Sequence, residues 1–280
     1  MLQRRPQPLA QSSGLESSNL TLTIACSTTL TRVLDRVCDL RNLAGDSFLL
    51  IIQVPGDEII SDAKVLEITA RWKLEHYFQG QYQIIFDHSK GVAKSRNIAL
   101  KVAQTDLIWF IDDDIEILQE ANKAIKLHHQ NSPSTVLIGW KSLNQDGTDR
   151  KHFPSTSHPL NLWNSAKFAT FELTCNLNNL DTKLHFFDER FGAGMENFVG
   201  DEYTFIAKVL KSGGPALYVP QPLAAHPDQS SGLSDFSGIN KSRRKMLISI
   251  HGRTKGVLFD LIIRFKRLKQ PLPCLRNHKK

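Results

Sequence analysis

Three consecutive carboxylates, Asp112, Asp113 and Asp114, stand directly after the apolar run Leu107 to Ile111. Charges this close repel one another, and holding them against an apolar strand is costly unless a cation or hydrogen-bond donors compensate. Mg²⁺ or Mn²⁺ would compensate, since these ions take oxygen ligands and commonly combine one or two carboxylates with substrate phosphates. A solvated acidic turn capping the next helix would leave the same trace. Gly91 to Asn97 sets a glycine turn and two cations, Lys94 and Arg96, at the head of a helical stretch. An anion could bind there, although a solvated helix start has the same composition. Asp201 and Glu202 follow Gly200 at the head of another helical stretch; a carboxylate in that place could be a general base or could only complement the helix dipole. His226 follows the apolar segment Ala216 to Ala225, where a neutral imidazole could complete a metal site or simply lie on the surface.

The elements that must position these groups alternate. Leu20 to Ala25 and Ser47 to Val54 are apolar enough for buried strands of a parallel sheet. Between them Leu30, Val33, Leu34, Val37 and Leu40 recur at helical spacing. A second helix is expected over Ile59 to Phe78, a third strand over Gln83 to Phe86, a further helix from Ala93 to Ala103, and a fourth strand over Leu107 to Ile111. Such alternation predicts an open α/β sheet that binds its ligand beyond the carboxyl ends of the strands, where the three aspartates fall. Ser132 to Pro159 is rich in Gly, Pro, Ser, Asn and Asp and is expected to form turns or a β-hairpin over the site. Helical order returns over Glu202 to Ser212, closed by Gly213, Gly214 and Pro215.

The chain has 280 residues, 41% of them hydrophobic, enough for a substantial core. It contains no run of 18 apolar residues and no signal-peptide pattern at its start, which predicts a cytoplasmic protein. The four cysteines, Cys26, Cys38, Cys175 and Cys274, lack metal-ligand spacing and are expected to be reduced. Charge is uneven: residues 241 to 280 hold 13 Lys and Arg against the single acid Asp260, while the preceding part is net acidic. In this tail Val257, Leu258, Leu261, Ile262, Phe265 and Leu268 form one helical stripe among cations, a pattern suited either to an interfacial helix on anionic lipid or to a helix packed on the body. Nucleic acid is not expected as a partner, because aromatic platforms are few.

Taken in order, the first strand with Ser27 and Thr28, Gly91 to Asn97, Asp112 to Asp114, and Phe187 to Glu202 followed by His226 resemble the inverting glycosyltransferase family 2 over roughly residues 20 to 232. The resemblance implies an α/β fold of GT-A type: an open, mostly parallel sheet flanked by helices, with an irregular acceptor-side half and a basic C-terminal helical tail. With the polar first residues read as a disordered leader (1–18) and the basic segment as a tail (239–280), the expected division adds a nucleotide-sugar-binding part (19–130) and an acceptor-binding part (131–238). The resemblance implies a hexosyl transfer from a nucleoside diphosphate, with UDP the expected nucleotide, to a glycan or lipid-linked acceptor in polysaccharide or glycolipid synthesis. Asp112, Asp114 and His226 would hold Mn²⁺ or Mg²⁺. Ser27, Gln53, Gly91, Lys94, Arg96, Asp112 and Asp113 would contact the donor, and Glu202, with Asp201 beside it, would supply the base. Gln53 stands where acidic residues are usual, and Asp201-Glu202 reverses the commoner order. The same fold also supports noncatalytic nucleotide- or glycan-binding modules.

Overall fold

The computed structural model describes residues 20–181, 183–227 and 236–268. The expected leader, the loop Asp228 to Gly232, Cys274 and the tail beyond residue 268 lie outside them. Among the described residues one nine-stranded sheet organises the chain. Its first half is parallel: β1 (Leu22–Thr29) lies between β2 (Ser47–Gln53) and β4 (Leu107–Asp112), and β3 (Tyr82–Asp87) borders β2. β1, β2 and β4 bury both faces, which explains their apolar runs, while the edge strand β3 is only partly buried. On β2, Phe48, Leu50 and Ile52 enter one core layer while Leu49 and Ile51 enter the layer across the sheet.

Beyond β4 the sheet becomes mixed. β8 (Leu173–Asn176) runs antiparallel between β4 and β6 (Leu137–Asn144), and β9 (Ala216–His226) lies parallel to β6. The two-residue strands β5 (Glu116–Ile117) and β7 (His158–Pro159) pair antiparallel with β9. Six strands therefore share one direction, as an open and mostly parallel sheet requires, and β8 is the reversed insertion.

Three local expectations are corrected. The helix expected over Leu30 to Leu40 is a turn, with Val33 N–H donating to Thr29 O and Arg36 N–H to Arg32 O, after which the chain is irregular up to a 3-10 turn at Arg41–Leu43. The carbonyls that would continue a helix are engaged elsewhere: Trp72 Nε1 donates to Val33 O at 2.7 Å and Arg71 Nε to Leu34 O at 2.9 Å. The stretch Ile59 to Phe78 is two helices, α1 (Asp62–Arg71) and α2 (Leu74–Phe78), broken at Lys73, whose φ is +51°. Ser132 to Pro159 is only in part a hairpin: it contains the internal strand β6, and the chain turns back after it, where Leu143 bridges Asp149 and Arg150 N–H donates to Ser142 O. Gly139 signals a turn in sequence, yet it sits in that strand because a Cβ there would lie 2.8 Å from the Phe168 ring.

α3 (Val92–Val102) packs on the parallel half, burying Ala93, Ala99 and Leu100, and α4 (Ala121–Asn131) leads into β6. α5 (Asp201–Lys211) follows an irregular segment, and α6 (Phe236–His251) and α7 (Arg253–Leu268) form a closing helical hairpin. Among the described residues no helix is long and apolar enough to cross a membrane. Cys26, Cys38 and Cys175 are free and buried, and burial pushes the Cys26 and Cys175 thiols up.

Candidate active site

The parallel strands end together, and their register sets the site. Ser27 pairs with Asp112 across β1 and β4, and Thr29 with Gln53 across β1 and β2. A cavity of about 390 Å³ opens over these ends, within the size range of small-ligand clefts. Its wall includes Ser27, Gln53, Arg96, Asp112, Asp113, Asp114, Asp201, Glu202 and His226, so nine of the residues singled out by sequence converge from six separate elements. Gly91 and Lys94 are not part of this wall. Gly91 has a φ of +111° and a Cβ there would meet Met195 Sδ at 2.7 Å, so it makes room for the loop that carries Met195.

The three aspartates have different surroundings. Asp113 is 4% exposed, with Oδ2 accepting from Thr28 Oγ1 and Oδ1 from Arg32, each at 2.6 Å. Burial raises its pKa, and Thr28 and Arg32 oppose that rise. Asp113 thus anchors Arg32 instead of standing open to a ligand. Asp112 reaches the cavity beside Arg96, 3.6 Å away, and burial pushes its carboxyl up against the pull of Arg96. Asp114 Oδ1 faces His226 Nε2 at 3.5 Å.

His226 is held by its other nitrogen. Nδ1 lies 2.8 Å from the Pro227 carbonyl, which can only accept, so Nδ1 carries a proton. Arg150 also donates to the carbonyls of His226 and Pro227, and Phe171 stacks on the imidazole. In the neutral ring this leaves the Nε2 lone pair aimed at a carboxylate, a repulsive pairing that a cation between them would relieve. Asp112, Asp114 and His226 thus bring carboxylate oxygens and an imidazole nitrogen, ligand types that divalent ions accept, to one cavity wall. No three-residue metal cage is formed by protein alone among the described residues.

Arg96 lies on α3 and is 7% exposed. It donates to Asp201, itself 2% exposed, in a short ion pair. Burial depresses the Arg96 pKa, but Asp201, Glu202 and Asp112 raise it further, so the guanidinium stays charged. Gly192 permits the approach: its φ is +103°, and a Cβ would stand 2.9 Å from the Asp201 carboxyl carbon. Glu202, one residue on, lines the cavity with its pKa raised to about 8, first by burial and then by Asp201, with Arg96 pulling the other way.

Arg32 escaped the sequence reading. It lies just past β1 and touches both Asp113 and Asp114, the latter at 3.5 Å. The available signal was topological, because a connection leaving the carboxyl end of a central parallel strand borders the ligand crevice. Gln53 reaches Ser95 on α3, donating through Nε2 at 2.9 Å, which leaves its carbonyl oxygen to accept from a ligand.

Asn97 fastens the loop that leads to α5. Its Nδ2 donates to Phe187 O and to Glu189, and its Oδ1 accepts from Phe187 N–H at 2.8 Å. Asn97→Ala would leave buried backbone groups of Phe187 unpaired. We expect a loss of about 1–3 kcal/mol, read as a lower urea midpoint at unchanged slope. An unaltered midpoint would mean the loop is held by its other contacts.

With the geometry established, comparison with known proteins places it. The model of Glycosyl transferase family 2 matches residues 65–188. Among solved structures the chain resembles residues 1–349 of S. aureus TarS at a TM-score of 0.58 and 13% identity, covering 89% of this chain and 73% of that one. The same TarS region in complex with UDP superposes at 0.58 with 14% identity, covering 90% and 76%. The complex with UDP-GlcNAc gives 0.52 at 15% identity, covering 82% and 66%. Against a longer TarS structure the chain spans 39% of that protein's length. No curated protein matches in sequence. The family model over residues 65–188 and the shared α/β architecture of the GT-A enzymes together support a family 2 glycosyltransferase.

Proposed function

We propose that the protein moves a sugar from a UDP-linked donor to an acceptor hydroxyl with inversion, in polysaccharide or glycolipid synthesis on the cytoplasmic side of a membrane. The observation that carries this reading is that two carboxylate sets line one cavity: Asp112 and Asp114 at the end of β4, and Glu202 on α5. One set suits a metal diphosphate and the other an attacking hydroxyl.

In this reading residues 19–130 hold the donor and residues 131–238 the acceptor. Gln53 offers its carbonyl oxygen to the N3–H of uracil, and Ser27 borders the nucleotide. Arg32, fixed by Asp113, and Arg96, fixed by Asp201, supply positive charge near the diphosphate. Asp112, Asp114 and His226 would hold Mn²⁺ or Mg²⁺, which stabilises charge on the departing nucleoside diphosphate. Glu202 takes the proton of the acceptor hydroxyl as its oxygen bonds the anomeric carbon and the bond from that carbon to the diphosphate breaks. Attack from the side opposite the leaving group inverts the anomeric centre. Asp201 is committed to Arg96, which favours Glu202 as the base.

Isothermal titration with UDP tests the donor half. Wild-type protein is expected to bind UDP at least tenfold more tightly with Mn²⁺ than with chelator, and Asp112→Ala/Asp114→Ala to lose that difference. Equal binding with chelator would remove the metal from the proposal and leave Arg32 and Arg96 as the diphosphate's partners.

A further inference from the structure

The hairpin of α6 and α7 is two-faced. Toward the body, Met246, Leu247 and Ile250 of α6, with Phe259 and Ile263 of α7, pack on Phe191, Tyr203 and Ala207. Gly256 brings the two helices together, since a Cβ there would lie 2.6 Å from the Ile248 backbone. On the opposite side of α7, Leu258, Leu261, Ile262 and Phe265 are 53%, 47%, 42% and 63% exposed. Their spacing of i, i+3, i+4 and i+7 makes one continuous stripe, and no other helix has more than one large exposed apolar residue among those described.

Cations stand beside the stripe. Lys241, Arg244 and Lys245 of α6 and Arg264 of α7 line a surface hollow of about 440 Å³. Lys241 and Lys245 reach Glu196, and Arg264 reaches the buried Asp260. Arg244 is exposed, and Arg253 and Lys255 continue the basic surface.

We infer that this face is a docking surface for a bilayer bearing anionic phosphate headgroups: the α7 stripe sits at the acyl boundary, and the cations of the hollow contact the phosphates. Charge complementarity selects this occupant. A second copy would bring together two segments that each hold 13 Lys and Arg against one acid, and nucleic acid would leave the apolar stripe exposed to water. The hairpin also fixes the orientation of the catalytic cavity, because Met246 packs against Gly200, the residue before Asp201 and Glu202. Docking would then present the acceptor side to membrane-anchored acceptors, a consequence that rests on the transfer reaction proposed above; the docking itself does not.

The test is cosedimentation of the full chain with phosphatidylglycerol/phosphatidylcholine vesicles and with phosphatidylcholine alone. Wild type should bind the anionic vesicles at least tenfold better. Leu261→Asp/Phe265→Asp should bind them at least tenfold more weakly than wild type, with an unchanged circular dichroism spectrum. Phe265→Trp should show fluorescence quenched by lipids brominated on their acyl chains. The inference is overturned if wild type stays in the supernatant, if the double variant binds equally well, or if sedimentation velocity reveals a dimer that the double variant breaks. These readouts need neither UDP nor transfer, so a failed donor titration leaves them intact.

Discussion

Glu202→Gln is expected to lower the turnover of sugar transfer by about 10²–10⁴-fold, the range that a positioned general base contributes, while UDP affinity stays within about twofold. Gln keeps the size and polarity of the side chain but cannot take a proton from the acceptor hydroxyl. The comparison with Asp201→Asn is informative, because Asp201 sits behind Glu202 in its ion pair with Arg96. A larger loss of turnover, at retained stability, in Asp201→Asn than in Glu202→Gln would move the base to Asp201.

The raised Glu202 pKa of about 8 adds a pH signature. The base must be unprotonated to act, so kcat/KM should climb with pH and level off above about 8. Stability runs the other way. The folded state retains the Glu202 proton to higher pH than the unfolded chain does, so this group's favourable contribution is complete below its ordinary carboxylate pKa and is lost as pH rises through about 8. Glu202→Gln should therefore melt higher than wild type in alkaline buffer and close to it in acid. A flat activity profile from pH 6 to 9 would show that the carboxyl is already ionised in the working enzyme.

The second large effect is structural. Arg96→Met keeps the unbranched stem of the side chain and removes the charged guanidinium, leaving Asp201 buried at 2% exposure without its cation. Loss of one partner of a buried ion pair costs about 3–5 kcal/mol. For a domain of this size that corresponds to a melting point lower by roughly 6–20 °C. Adding Asp201→Asn should restore much of the loss, since the penalty is the unpaired carboxylate and not the missing attraction. A melting point within 2 °C of wild type for the single variant would show that Asp201 finds compensation elsewhere.

The sequence made most of the parallel half legible because β1, β2 and β4 bury both faces and so appear as apolar runs. The same rule failed at β6, where Gly139, Ser142 and Asn144 imitate a loop. Gly139 is there to accommodate the Phe168 ring, a contact between residues 29 positions apart that no local window contains. The turn after β1 departs from its helical spacing for a similar reason. Val33, Val37 and Leu40 have helical spacing, but the carbonyls of Val33 and Leu34 are taken by Trp72 and Arg71 on α1. Arg32 belongs to no motif of its own and is singled out only by its contacts with Asp113 and Asp114, some 80 residues away.

By itself the sequence determined the chemistry present: three carboxylates at a strand end, an acid pair at a helix start, a histidine after an apolar segment, and a basic amphipathic tail. Residue type and local periodicity are sufficient for that. Only the tertiary structure decided which of these groups are open to a ligand and which are occupied by the protein. Asp113 faces Thr28 and Arg32, Asp201 faces Arg96, Lys94 stays outside the cavity wall, and the tail's apolar stripe points away from the body. A carboxylate's role depends on burial and on the charge across from it, and both are set by chain segments that the sequence keeps far apart.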